Sequence, residues 1–191
     1  VCVCLYIAAA PLEARQLPAI DGPPPPQAPA VVVRNAEGRA TIRAVRVDSP
    51  LDIDGALDEA LYANVPSISD FVQVEPNLGE PASEKTEVWF AFDDDNVYLT
   101  FKNWDSAPER RIATEMRRDV NNFINGNDIV QIFLDTFYDR RNGLSFTINS
   151  LGARNDGQQI GTSYNGDWNP IWDHAVGRFD GGWTVEVALP F

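Results

Sequence analysis

Gly126-Asn127-Asp128-Ile129-Val130-Gln131-Ile132-Phe133-Leu134-Asp135 is the stretch on which the fold reading turns. Ile129, Val130, Ile132, Phe133 and Leu134 put apolar side chains on both faces of a strand. Such a strand is expected in the middle of a sheet, covered above and below. Asp128 and Asp135 bracket it. Aspartate is a poor strand former, and a buried carboxylate needs a partner. Each therefore either ends the strand in water or binds something at the edge of the sheet.

Outward from this stretch the pattern has period two. Thr86 to Phe92 and Val97 to Phe101 flank the polar turn Asp93-Asp94-Asp95-Asn96, with Val88, Phe90 and Phe92 on one face and Val97, Leu99 and Phe101 on one face. This is a hairpin. Leu144 to Asn149 and Trp183 to Leu189 alternate in the same way, as do Val45-Arg46-Val47 and, more weakly, Phe71-Val72-Gln73-Val74. Leu51-Asp52-Ile53-Asp54-Gly55 ends a strand in a turn, and 56–62 suits a short helical turn that lays Leu57, Leu61 and Tyr62 on the core. Residues 105–125 are charged and irregular, and 152–166 are rich in turn residues. Many short strands and little helix predict an all-β protein, an antiparallel β-sandwich of jelly-roll-like form that reads as truncated at its C-terminal end.

The 191 residues suffice for one domain with a core, and the net charge of −13 argues against nucleic acid as a partner. Residues 1–14 read as the remnant of a signal peptide, an apolar run followed by small residues and too short to span a bilayer. Both cysteines, Cys2 and Cys4, lie in it, so the mature chain holds its fold without disulfides. Residues 15–40, with Pro23-Pro24-Pro25-Pro26, read as an extended linker, and the sandwich is expected over 41–191. Export to a bacterial periplasm or outer membrane follows better than release to the extracellular medium.

Two features point to a ligand. Asp167-Trp168-Asn169-Pro170-Ile171-Trp172-Asp173 sets two tryptophans among carboxylates and an amide, a mixture that suits stacking on sugar rings and pairing with hydroxyls. The acidic turns at Asp52-Ile53-Asp54 and Asp93-Asp94-Asp95 cluster oxygens of the kind calcium takes, although neither has the EF-hand spacing, and plain turn chemistry accounts for both. Catalytic signatures are thin. There is no Gly-x-Ser-x-Gly elbow, and His174 is the single histidine, which excludes a multi-histidine zinc site. His174 with Met116 is the one pairing that would suit haem.

These segments together resemble a known family. Leu51 to Glu59, Val88 to Leu99, Asn127 to Asp135 and Gly182 to Phe191 are similar, in order and spacing, to the signatures of carbohydrate-binding module family 9. Arg118-Asp119, Leu134 to Arg141, Phe146 to Asn149 and Trp168 to Asp173 resemble bacterial envelope proteins in which such a module precedes a barrel like that of TonB-dependent receptors. The resemblance implies non-catalytic binding of poly- or oligosaccharide, accessory to glycan breakdown or uptake by a parent protein, with structural Ca²⁺ and a C-terminal domain of the parent chain as partner. An interaction module of an outer-membrane barrel protein without a sugar site is the alternative. In family members two tryptophans sandwich a terminal sugar. Here the first expected tryptophan is Asn125, near Phe123, the expected glutamate is Gln131 and the expected arginine is Thr147; the second tryptophan would fall beyond Phe191. Trp168 and Trp172 therefore stand as the stacking candidates, with Asp128, Asn149, Arg118 and Asp173 as polar ligand-binding candidates.

Overall fold

The computed structural model of the chain describes residues 21–120 and 126–191. The expected signal segment, both cysteines, Phe123 and Asn125 lie outside the described residues.

The architecture is a β-sandwich. One sheet has five strands in the order β10-β11-β5-β4-β3: β10 (Asp173–Phe179), β11 (Gly182–Pro190), β5 (Asn96–Trp104), β4 (Thr86–Phe92) and β3 (Val45–Arg46). The other has four, in the order β6-β7-β8-β9: β6 (Ile129–Leu134), β7 (Asn142–Asn149), β8 (Arg154–Ile160) and β9 (Ser163–Asn165). Pairing in both sheets is antiparallel except for β3, which joins β4 in parallel. A ribbon of β1 (Val32–Arg34) and β2 (Ala40–Ile42), one short helix, α1 (Ala60–Asn64), and a single 3-10 turn (Pro108–Arg110) complete the regular structure of the described residues.

The core lies between the sheets. Val130, Ile132, Phe146 and Ile148 from the four-stranded sheet meet Trp183, Val185, Val187 and Leu189 of β11. Period-two alternation dictates this. Once Val130 and Ile132 face inward, Gln131 and Phe133 must face outward. Among the described residues the strand expected to be central stands at an edge of its sheet, and Phe133 is 57% exposed. The strand buried on both faces is β11, flanked by β10 and β5, with Gly182 through Leu189 all buried.

Burial of the second face of β11 comes from the segment that carries the Leu51 to Gly55 signature. Leu51, Ile53, Leu61 and Tyr62 pack over Ala91, Tyr98 and Ala188. At the centre of this contact Glu186 has no exposed surface. Its Oε2 accepts from the backbone N–H of Gly55 at 2.8 Å and of Asp54 at 3.3 Å, and its Oε1 accepts from the Tyr62 hydroxyl at 2.6 Å. Gly55 has φ +89°, and a Cβ on it would lie 2.6 Å from the Gly177 nitrogen, so both the turn and the close approach require glycine. Two segments 130 residues apart in sequence are therefore locked by one carboxylate and one glycine turn.

Several sequence expectations are corrected. Residues 15–40 are not wholly linker: Val31 is buried against Ile68 and Val88, and β1 pairs with β2. The run Phe71 to Val74 is no strand; it forms an isolated bridge at Val72 and its apolar side chains are exposed. The turn-rich stretch 152–166 contains β8 and β9, whose polar residues pair because β7 offers them an edge, and β10 was likewise unforeseen. The hairpin at Thr86 to Phe101 stands as expected, with its turn built by Asp93. That side chain accepts from the backbone N–H of Asp95 and Asn96 and from the Tyr98 hydroxyl at 2.6 Å.

Candidate functional site

The outward face of the four-stranded sheet follows from its register. Gln131 stands opposite Thr147, which stands opposite Asn155; in the next row Phe133, Ser145 and Gly157 align; in the next Gly143, Gln159 and Tyr164. These residues share one side, because their strand neighbours Val130, Ile132, Phe146 and Ile148 fill the core. Two positions at which this chain departs from the family pattern, Gln131 and Thr147, are thus cross-strand partners on this face.

Its chemistry is uniform. Among the described residues of these strands no charged side chain points outward; the face carries amides, hydroxyls, glycines and two exposed rings, Phe133 at 57% and Tyr164 at 54%. The rings reach over the glycines. A Cβ at Gly143 would lie 2.5 Å from Phe133 Cε1, and one at Gly157 would overlap the Tyr164 hydroxyl. Ser145 and Thr147 form a buried floor, and Thr147 Oγ1 is buried without a hydrogen-bond partner. Uncharged donors and acceptors beside aromatic rings can hold a neutral, hydroxyl-rich ligand.

Of the six residues singled out from sequence, Trp168 and Trp172 line one cleft and both touch Phe146, Arg118 and Trp172 share Asp156 Oδ2, and Asp128, Asn149 and Asp173 bond backbone groups of nearby loops. Trp172 is 5% exposed, in edge contact with the Phe146 ring, under the Arg154 guanidinium, and its Nε1–H donates to Asp156. It is a core residue and offers no open stacking surface. Asn149 is fully buried; its Nδ2 donates to the Glu115 carbonyl and its Oδ1 accepts from the backbone of Leu151 and Ala153, so it shapes a turn. Arg118 bridges buried Asp156 at 2.7 Å and pairs with Asp119, which pins the 112–119 segment to β8. Asp128 accepts from the Ile112 N–H at 2.7 Å and Asp135 accepts from the N–H groups of Asp139 and Arg140. Asp173 is exposed, and its Oδ1 accepts from the His174 N–H. Trp168 is half-buried with its ring edge on Phe146, on the wall of an apolar cleft of about 550 Å³ that Phe90, Phe133, Leu134, Leu144 and Leu189 also line. Among the described residues Phe133 alone belongs to both the cleft and the sheet face.

His174 packs beside Trp172 with Nε2 on the Gly152 carbonyl, and burial holds its pKa below the ordinary value, while Met116 is 76% exposed. Both Asp93 oxygens are taken by its own turn, and Asp54 Oδ1 accepts from Ala56 N–H. Among the described residues no group of three or more His, Cys, Asp or Glu is placed to hold a metal ion.

The fold resembles that of family 9 carbohydrate-binding modules. Two structures of such a module from Caldicellulosiruptor kristjanssonii match with a TM-score of 0.55 each. The one in complex with cellotriose is 19% identical over 77% of this chain and 66% of its own; the one in complex with glucose is 18% identical over 78% and 68%. The chain thus spans about two thirds of the length of these modules. It matches no family model, and no curated protein matches it.

Sequence reading missed Asn155, Gly157, Gln159 and Tyr164 because they sit in a stretch with turn-like composition. The available signal was the alternation Asn155, Gly157, Gln159 against Arg154, Asp156, Gln158.

Proposed function

We propose that this chain is a non-catalytic carbohydrate-binding module of a larger exported bacterial envelope protein, accessory to glycan breakdown or uptake there. The observation that carries the reading is the uncharged outer face of β6 to β9, with Phe133 and Tyr164 over a glycine and hydroxyl floor. Sugar rings have apolar C–H faces for the aromatic rings and hydroxyls for Gln131, Asn155 and Gln159. The fold likeness to modules solved with cellotriose and glucose supports it. Placement in the periplasm or outer membrane is part of the proposal and rests on the apolar run Val1 to Ala10 followed by small residues.

A glycan array probed with the wild-type chain and with Phe133→Ala and Tyr164→Ala tests the reading. Binding to neutral glycans that both substitutions weaken supports it. Silence across the array refutes it. A second reading is an interaction module without a sugar site, favoured by the apolar cleft beside Trp168 and the 90% exposed Ile171 at its rim. In that case Trp168→Ala would abolish association with the barrel of the parent protein and leave the array silent.

A further inference from the structure

We infer that the outer face binds internal stretches of a neutral glycan and does not clamp a chain end; the inference rests on the carbohydrate reading above. Phe133 stands on β6 and Tyr164 on β9, at opposite margins of the same sheet. Each leans inward over a glycine of the adjacent strand, Gly143 on β7 and Gly157 on β8. Because Gly143 pairs with Gln159 and Ser145 with Gly157, the two glycines are diagonal neighbours, a separation of ~7–8 Å. The rings therefore stand side by side on one surface. Two rings facing each other across a slot grip a single sugar from both sides. Two rings on one sheet cover a single side of the ligand, and neither closes the path at its ends.

The polar groups follow the same surface. Gln131, Thr147 and Asn155 form one cross-strand row and Gln159 lies two residues beyond Gly157. Thr147 is 1% exposed and lies beneath this row as part of its floor, so the groups that meet a ligand are the side chains of Gln131, Asn155 and Gln159 around it. The absence of outward charge among the described strand residues sets the ligand class. A chain of net charge −13 repels an acidic polymer, and this face holds no cation to offset that.

The test is calorimetric titration with glucan, xylan and mannan series, each as monosaccharide, trisaccharide, hexasaccharide and soluble polymer, with polygalacturonate as the acidic comparison. In at least one neutral series the hexasaccharide binds ~10-fold or more tightly than the monosaccharide. Several protein molecules occupy each polymer chain, and polygalacturonate gives no heat. Phe133→Ala and Tyr164→Ala, checked for native circular dichroism, each weaken hexasaccharide binding ~3–10-fold. Equal affinity for monosaccharide and hexasaccharide, or one protein molecule per polymer chain, overturns internal binding and leaves the carbohydrate reading intact. Full affinity in both variants overturns this face as the site. No heat with any neutral series overturns both.

Discussion

Replacing Glu186 with alanine tests the lock between the Leu51 to Gly55 turn and β11. The carboxylate is the shared acceptor for Gly55 N–H, Tyr62 O–H and, more weakly, Asp54 N–H. Removal leaves at least two strong donors buried without an acceptor, at ~1–3 kcal/mol each. Relief of the buried carboxyl offsets part of this, because burial raises its pKa and so disfavours the ion in the fold. The net loss is ~2–4 kcal/mol, a large share of the ~5–15 kcal/mol that holds a typical domain. Urea unfolding followed by tryptophan fluorescence reads it directly. With a slope of ~2 kcal/mol per M, the midpoint falls by ~1–2 M at unchanged slope. A fall of less than ~0.3 M would show that the turn is held by its apolar contacts alone and that the carboxylate is incidental.

The same lock predicts that Gly177→Ala destabilises the fold by more than ~2 kcal/mol in the same assay, since its Cβ would overlap the Gly55 carbonyl oxygen, a backbone atom that cannot swing aside. The pH dependence has a definite sign. A carboxyl whose pKa is raised in the fold contributes stability that is present below its unfolded pKa and lost as pH rises through the folded value. The stability difference between wild type and Glu186→Gln, measured by denaturant titration, therefore shifts in favour of the variant as pH rises from the acid range toward neutral. A difference that does not change with pH contradicts the assignment. Trp172→Ala lowers stability by ~3–5 kcal/mol as a core truncation, seen as a lower melting temperature in calorimetry.

The fold class was legible in the sequence wherever alternation was clean. Val88 to Phe101, Leu144 to Asn149 and Trp183 to Leu189 each carry the period of a half-buried strand, and each forms one. What is locally determined ends there. Arg154 to Gln159 is polar throughout and has no local reason to be a strand. It becomes one because β7 presents unpaired backbone groups on one side and Arg118 grips Asp156 on the other. Trp168 and Trp172 read alike in sequence, two rings in a polar loop. Only packing separates them, because the Trp172 Nε1–H finds Asp156 inside the core.

The stretch from Asp128 to Asp135 shows the same division. Its composition determines that it is a strand and that its alternate residues face opposite ways. It cannot determine which sheet neighbour is missing, since hydrogen-bond partners come from elsewhere in the chain. Tertiary structure leaves β6 at an edge and turns Phe133 to solvent. It also brings Gln131 beside Thr147, and Tyr164 onto the same face from β9. The two terminal aspartates, candidates for a ligand from sequence alone, accept from backbone N–H groups of neighbouring loops, Asp128 through Oδ2 and Asp135 through both oxygens. The candidate site exists only once four strands stand in register, because its members are scattered over more than 30 residues and no local interaction relates them.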